Sequence, residues 1–204
     1  MLLLSLDTAS TTLSLSLLKA GNVIASFDEV MLRGQAERLI PEIQNLFEKA
    51  GEKIKDLSAV AVGVGPGSFT GVRVALSAAR GFGLALQIPV YGVSSFEAYA
   101  CGAKKDVLVA LDTKRGDYYV AGFNEKLQEV FEPRVMTLDE IKILNPKLIA
   151  SDTPDVFETE GFNVRKNDFS LSEQIAKIAL MRGEDNFPAE PLYLREADVT
   201  ISSK

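Results

Sequence analysis

Leu4-Ser-Leu-Asp7-Thr8-Ala-Ser-Thr-Thr-Leu13-Ser-Leu15 and Val109-Ala-Leu-Asp112-Thr113-Lys-Arg-Gly-Asp-Tyr118-Tyr-Val120 lie over one another at a constant offset of 105 residues. Each copy is an apolar strand ending in Leu-Asp-Thr, then a polar turn, then an alternating strand. An offset of about half the 204-residue chain predicts a duplication, with two similar lobes facing each other. Chance recurrence of a strand, an Asp and a turn would look the same, and both readings stand at this point.

Around the first copy, Leu2–Leu6, Leu13–Leu18 and Val23–Val30 read as three strands, the last two joined by the Ala20-Gly21-Asn22 turn. Ala36, Leu39, Ile40, Ile43, Leu46, Phe47 and Ala50 then recur at helical spacing, with Gly51 as the stop. Pro41 inside that stripe predicts a kink or a late start. Leu57–Val64 is a continuous apolar run that suits a strand buried on both faces. It leads through Gly65-Pro66-Gly67-Ser68-Phe69-Thr70-Gly71 into a second helix, Gly71–Leu86. Ile88–Val93 is a further short strand, and Ser94 or Ser95 caps a helix through Cys101. The second half reads as a shorter version, with strands near 107–112 and 118–124, a helix near Leu138–Leu144, a strand Lys147–Ala150 and a helix Leu171–Arg182. Alternating strands and helices predict an α/β fold with parallel pairing and right-handed crossovers. The lobes divide at 1–103 and 104–204.

Composition removes many functions. With 47% hydrophobic and 25% charged residues the chain is globular. It has no histidine, so zinc sites of the ordinary kinds and every Ser/Cys–His nucleophile pair are excluded. A single cysteine, Cys101, excludes an internal disulfide and a thiolate metal site. The net charge of −6 argues against a wide phosphate-gripping surface. That charge is uneven, near −1 in the first lobe and −5 in the second, which makes the second lobe the poorer candidate for contact with a polyanion. The apolar start Met1–Leu6 has no preceding Lys or Arg and is cut short by Asp7, and the longest uncharged runs, Leu57–Val72 and Gly81–Phe96, are broken by glycine and proline. A cytoplasmic protein is expected.

Asp7 and Thr8, with Ser10, Thr11 and Thr12 behind them, could hold Mg²⁺ through water while turn amides face phosphate oxygens, with Asp112 and Thr113 as the opposing half. The same Asp residues fit Asx turns at strand ends. The Gly65–Gly71 loop is neither G-x-G-x-x-G nor a P-loop; its glycines allow close backbone approach to an anion or plain helix packing. Ala75, Ser77, Ala78, Ala79, Gly81, Gly83 and Ala85 make the second helix unusually small-faced, which predicts a packing gain. Arg73 and Arg80, seven apart, share a helix face that is either solvated or in contact with a partner's carboxylates or a nucleotide. No acid–base pair and no catalytic or metal-ligating residue stands out.

With Asp7-Thr8, the Gly-Pro-Gly-Ser-Phe-Thr-Gly-Val-Arg run of 65–73 and Pro191-Leu-Tyr-Leu-Arg195, nearly the whole chain resembles the TsaB (YeaZ) family. The resemblance implies the duplicated ribonuclease-H-like architecture of actin, Hsp70 and sugar kinases (ASKHA). It implies a non-catalytic subunit for threonylcarbamoyl modification of adenosine 37 in ANN-decoding tRNAs. That subunit pairs with the TsaD catalytic subunit, is joined by the P-loop ATPase TsaE, forms homodimers, meets tRNA mainly through the complex, and has no part in a membrane. The partner helices correspond to Ala36–Ala50 and Gly71–Leu86, and the interface to Leu39, Ile43, Arg73, Ala75, Ala78, Ala79 and Phe82. A vestigial or shared nucleotide site would use Asp7, Thr8 and Asp112, with no cofactor held by this chain alone and ATP or ADP with Mg²⁺ at the partner interface. Gln35 stands where many members carry histidine. The alternative is an independent acetate- or sugar-kinase-like phosphotransferase built on Asp7 and Asp112.

Overall fold

The computed structural model describes residues 1–166, 168–183 and 187–195. The chain opens with an antiparallel meander, β1 (Leu2–Asp7), β2 (Thr12–Lys19) and β3 (Asn22–Val30). Ala20 and Gly21 between β2 and β3 both take positive φ, as a two-residue hairpin with right-handed twist requires. Helix α1 (Gln35–Ala50) begins directly after Gly34, so the late start does not occur; the helix runs on through Pro41, whose side chain is exposed. Gly51 ends it at a positive φ, as read from the sequence. Strand β4 (Ala59–Gly63) is buried throughout because it lies between β1 and β5 (Val90–Val93), parallel to both. Helix α2 (Phe69–Leu86) starts two residues before the expected Gly71, where the Ser68 hydroxyl accepts from the Gly71 amide at 3.2 Å. Helix α3 (Ser95–Ala100) is closed by a capping box between Ser94 and Glu97.

The second half repeats the meander with β6 (Val107–Asp112), β7 (Tyr118–Phe123) and β8 (Glu129–Met136). Helix α4 (Leu138–Leu144), β9 (Ile149–Ser151), α5 (Pro154–Thr159), α6 (Leu171–Arg182) and β10 (Phe187–Pro188) follow. Sequence reading passed over β8, α5 and β10. β8 is an edge strand carrying Glu129, Glu132, Pro133 and Arg134, and the other two are too short for a period to show. The sheets run β10-β5-β4-β1-β2-β3 and β8-β7-β6-β9, so the ribonuclease-H-like order recurs in both halves and the α/β duplication is real. Its register shifts at the turn. Asp7 pairs with Ser14 but Asp112 with Tyr118, so the second hairpin is one residue shorter and the offset beyond it is 104.

One core lies between the first sheet and α1 with α2, around Leu6, Leu15, Leu39, Phe47 and Val72. Helices α4 and α5 cover the outer face of the second sheet through Ile141 and Phe157. The two remaining helices are exchanged. α6 packs on β1, β2 and β4 of the first sheet, while α3 packs on β6 and β7 of the second. A division of the chain at 103/104 would separate each of these two helices from the sheet it packs on.

The exchange explains β2. Its Leu-Ser-Leu-Ser alternation suggests one wet face, yet both faces are buried. Ser14 and Ser16 meet Ser172 of α6 at 3.0 and 2.6 Å, and Ser14 and Ser170 both reach the Asp28 carboxylate. Hydroxyls paired with hydroxyls make an apolar helix-facing side unnecessary.

Candidate functional site

The two duplicated turns face a cleft of about 620 Å³ between the sheets. The β1–β2 turn contributes Ala9, Ser10 and Thr11, the β4–α2 loop Pro66–Phe69, and the β6–β7 turn Asp112–Arg115. Asp152 after β9, Tyr99 of α3 and the C-terminal stretch Leu192–Arg195 complete the walls. Gln35 lines the cleft, and its side-chain amide donates to the Ser10 carbonyl at 3.1 Å.

The sequence-predicted site residues are only partly brought together. Asp112 lines the cleft, while Asp7 and Thr8 do not. Asp7 is 2% exposed and presses on Gly63, where a Cβ would sit 1.9 Å from its Oδ1. Its Oδ2 accepts from the Ala9 amide at 3.1 Å, and Oδ1 is buried without a hydrogen-bond partner. Burial raises its pKa from 3.8 to about 6, against the opposing pull of the Ser10 and Ala9 hydrogen bonds. Thr8 donates its hydroxyl to the Gly71 carbonyl at 2.6 Å and so ties β1 to α2. A Cβ at Gly71 would lie 1.8 Å from the Thr8 carbonyl oxygen, and one at Gly67 2.3 Å from that of Ala9. These glycines therefore let the loop close on the turn, and of the two readings packing accounts for them.

Asp112 repeats the local pattern of Asp7. Its Oδ1 accepts from the Lys114 amide at 2.6 Å, two residues on, as Asp7 does from Ala9. The Lys114 ammonium then turns back onto Asp112 Oδ2 at 2.9 Å. Partial burial opposes the Lys114 charge, but this bond and the nearby Asp152 and Asp112 charges hold its pKa above the usual lysine value. Asp152, which sequence reading missed, accepts from the Asp112 amide at 2.9 Å, and burial raises its pKa. Arg195 forms an ion pair with Asp117, whose carboxyl is held low by the Thr113 hydroxyl bond and then by Arg195, with burial opposing. These donors do not fit a magnesium nucleotide: Asp7 faces Gly63 rather than the cleft, and Asp112 already carries an ammonium. Among the described residues no group of three His, Cys, Asp or Glu side chains could hold a metal ion.

Of the predicted interface residues, Leu39, Ile43, Ala75 and Ala79 are interior. They pack in the core under α1 and α2 and present no surface, because the small side of α2 seats the helix on its own sheet. Ala78 and Phe82 are half-buried and Arg73 is exposed. The outward side of the helix pair instead shows Ile40 at 52% exposure and Leu84 at 84%, with Leu32 at 87% just before α1. Gly81 shares that side, and a Cβ there would meet nothing within 4 Å. Arg73 and Arg80 are exposed, yet each is engaged within the chain. Arg73 lies over the Phe69 ring and donates to the Tyr193 hydroxyl at 3.2 Å, and Arg80 donates to the Ala189 carbonyl at 2.5 Å. Their hydrogen-bond partners are more than a hundred residues away, beyond any sequence signal.

Comparison with known proteins gives a consistent result. The family model described as TsaD, tRNA N6-adenosine threonylcarbamoyltransferase, matches residues 22–202. The tRNA threonylcarbamoyladenosine biosynthesis protein TsaB of Escherichia coli is 30% identical, over 96% of this chain and 95% of its own. TsaB of Bacillus subtilis is 31% identical over 79% of each chain. A solved structure of YeaZ from Pseudomonas aeruginosa superposes with a TM-score of 0.75 at 26% identity, covering 95% of this chain and 99% of that one.

Proposed function

The chain belongs to the TsaB family, and we propose that it serves in the biosynthesis of threonylcarbamoyladenosine in tRNA as a non-catalytic subunit supporting a TsaD-like catalytic subunit. The observation that carries the partner reading is the outward side of α1 and α2. Leu84 is exposed on α2 one turn from Gly81, and Ile40 is exposed on α1; among the described residues nothing comes within 4 Å of a Cβ at Gly81, a glycine in a helix interior. Such a glycine costs about 1 kcal/mol relative to alanine, and close approach by a second helix offsets that loss. The interface proposed is therefore Ile40, Arg73, Ala78, Phe82 and Leu84 rather than the interior residues.

A second copy could occupy the same face in the absence of the partner, and a TsaE-like ATPase and the tRNA would join the assembled complex. The duplicated Asp turns are proposed to be remnants of a nucleotide site, with any nucleotide held only in the complex. The lobes are proposed to divide at 103/104, each lending a helix to the other's sheet. No helix among the described residues is long and apolar enough to cross a membrane, in keeping with a cytoplasmic place beside tRNA.

The test is size-exclusion chromatography of the chain with the TsaD-like protein of its own source. Leu84→Asp should abolish the complex and leave the thermal midpoint of the isolated chain within a degree or two. An unchanged complex would remove the proposed face.

A further inference from the structure

The chain crosses between the lobes over residues 189–195, and the two ends of this crossing differ in how they are fastened. Ala189–Tyr193 is tied to the first lobe by four contacts. Arg80 donates to the Ala189 carbonyl, the Leu192 amide donates to the Val64 carbonyl at 2.8 Å, Arg73 holds the Tyr193 hydroxyl, and the Tyr193 ring lies 5.0 Å from that of Phe69. Leu192 packs against the cores of both lobes. Past it, Arg195 is ion-paired to Asp117 of the second lobe. Asp117 in turn accepts from the Thr113 hydroxyl and, through its carbonyl, from the Thr113 amide at 3.1 Å. The β6–β7 turn, one wall of the cleft, is thus tied to this crossing segment through the Arg195–Asp117 pair.

We infer that residues 189–195 are a latch across the interlobe cleft, fixed on the first lobe and released at Arg195–Asp117. The asymmetry of the fastening supports this. The first-lobe end combines backbone hydrogen bonding, ring packing and two arginines, whereas the second-lobe end adds to apolar packing a pair whose side chains remain 28% and 19% exposed. Salt screens the charged pair but not the backbone bond from Leu192 to Val64, so the second-lobe end yields first when the lobes separate. The latch also has a handle. Arg73, which holds Tyr193, stands on the outward side of α2, so a carboxylate docking there competes with Tyr193 for the guanidinium. This last step rests on the proposed partner face; the latch itself does not.

Amide hydrogen exchange of the isolated full-length chain tests it without any partner. Arg195→Ala should speed exchange of the 113–119 segment about fivefold, the value of a partly exposed ion pair, and leave β4 unchanged. High salt should move the wild-type segment towards the variant rate and leave the variant where it is. Arg195→Lys, which keeps the charge and leaves Asp117 on Thr113, should recover most of the wild-type protection. Exchange in Arg195→Ala equal to wild type, or Arg195→Lys no better than Arg195→Ala, would overturn the latch. Loss of the complex in Leu84→Asp with the exchange pattern intact would leave it standing, and failure of the partner face would likewise not touch it.

Discussion

Three glycines in α2 should respond to alanine in three different ways. At Gly71 the new Cβ would lie 1.8 Å from the Thr8 carbonyl oxygen and 2.9 Å from its carbon, both backbone atoms. The β1–β2 turn would have to retreat by roughly 1.5 Å before ordinary contact returned. That movement strips the Thr8 hydroxyl bond to Gly71 and the 2.7 Å bond from the Ser68 amide to the Ala9 carbonyl. Overpacking of this kind costs ~1–3 kcal/mol and each lost bond ~1 kcal/mol, against at most ~1 kcal/mol gained from helix propensity. Gly71→Ala should therefore destabilise by about 3 kcal/mol. At Gly83 the nearest obstacle, at 2.4 Å, is the Val90 Cγ2 methyl, so repacking is cheaper and the loss should be about 1 kcal/mol. At Gly81 nothing lies within 4 Å, and alanine should stabilise by roughly 0.5–1 kcal/mol. Urea unfolding followed by far-ultraviolet circular dichroism, at one fixed protein concentration, reads all three. A Gly71→Ala variant within 0.5 kcal/mol of wild type, or a Gly81→Ala loss as large, would refute the packing argument.

Asp7 makes stability depend on pH with an unusual sign. Its pKa is raised on folding, so the charged form is disfavoured in the native state; its contribution is full below pH 3.8 and lost as pH rises towards 6. Comparing wild type with Asp7→Asn, the wild type should gain about 1 kcal/mol relative to the variant between pH 6 and 5; a pH-independent difference would show that the carboxyl is ionised when folded. Ser172→Ala should cost about 2 kcal/mol in urea unfolding, because it leaves the buried Ser16 hydroxyl without its 2.6 Å partner, whereas Ser170→Ala, nearer solvent, should cost under half of that. Equal losses would mean that the hydroxyl network does not anchor α6.

Much of the fold was legible because it is written in local signals. The hairpin turn at Ala20-Gly21, the stop at Gly51, the Ser94 cap and the period of α1 each depend on neighbours within a few residues. The candidate site was less legible. Asp112 could be placed in the cleft from the repeat, yet its partner Asp7 is sealed by Gly63, which follows it by 56 positions. The helical stripe Leu39, Ile43, Ala75 and Ala79 announces an apolar contact without saying against what, and the same spacing suits a partner and a core. Here it is the core, and Ile40 and Leu84 are what remain outside.

By itself the sequence determined most of the succession of elements and the absence of histidine chemistry, and it suggested the duplication, because period, turn residues and composition act within one segment. Only tertiary structure decided that α3 and α6 exchange sheets, that Arg73 and Arg80 grip the C-terminal stretch, and that the second hairpin is a residue short. Those outcomes depend on which surfaces meet after the chain has closed, and a small or charged side chain carries no record of the distant residue it will touch.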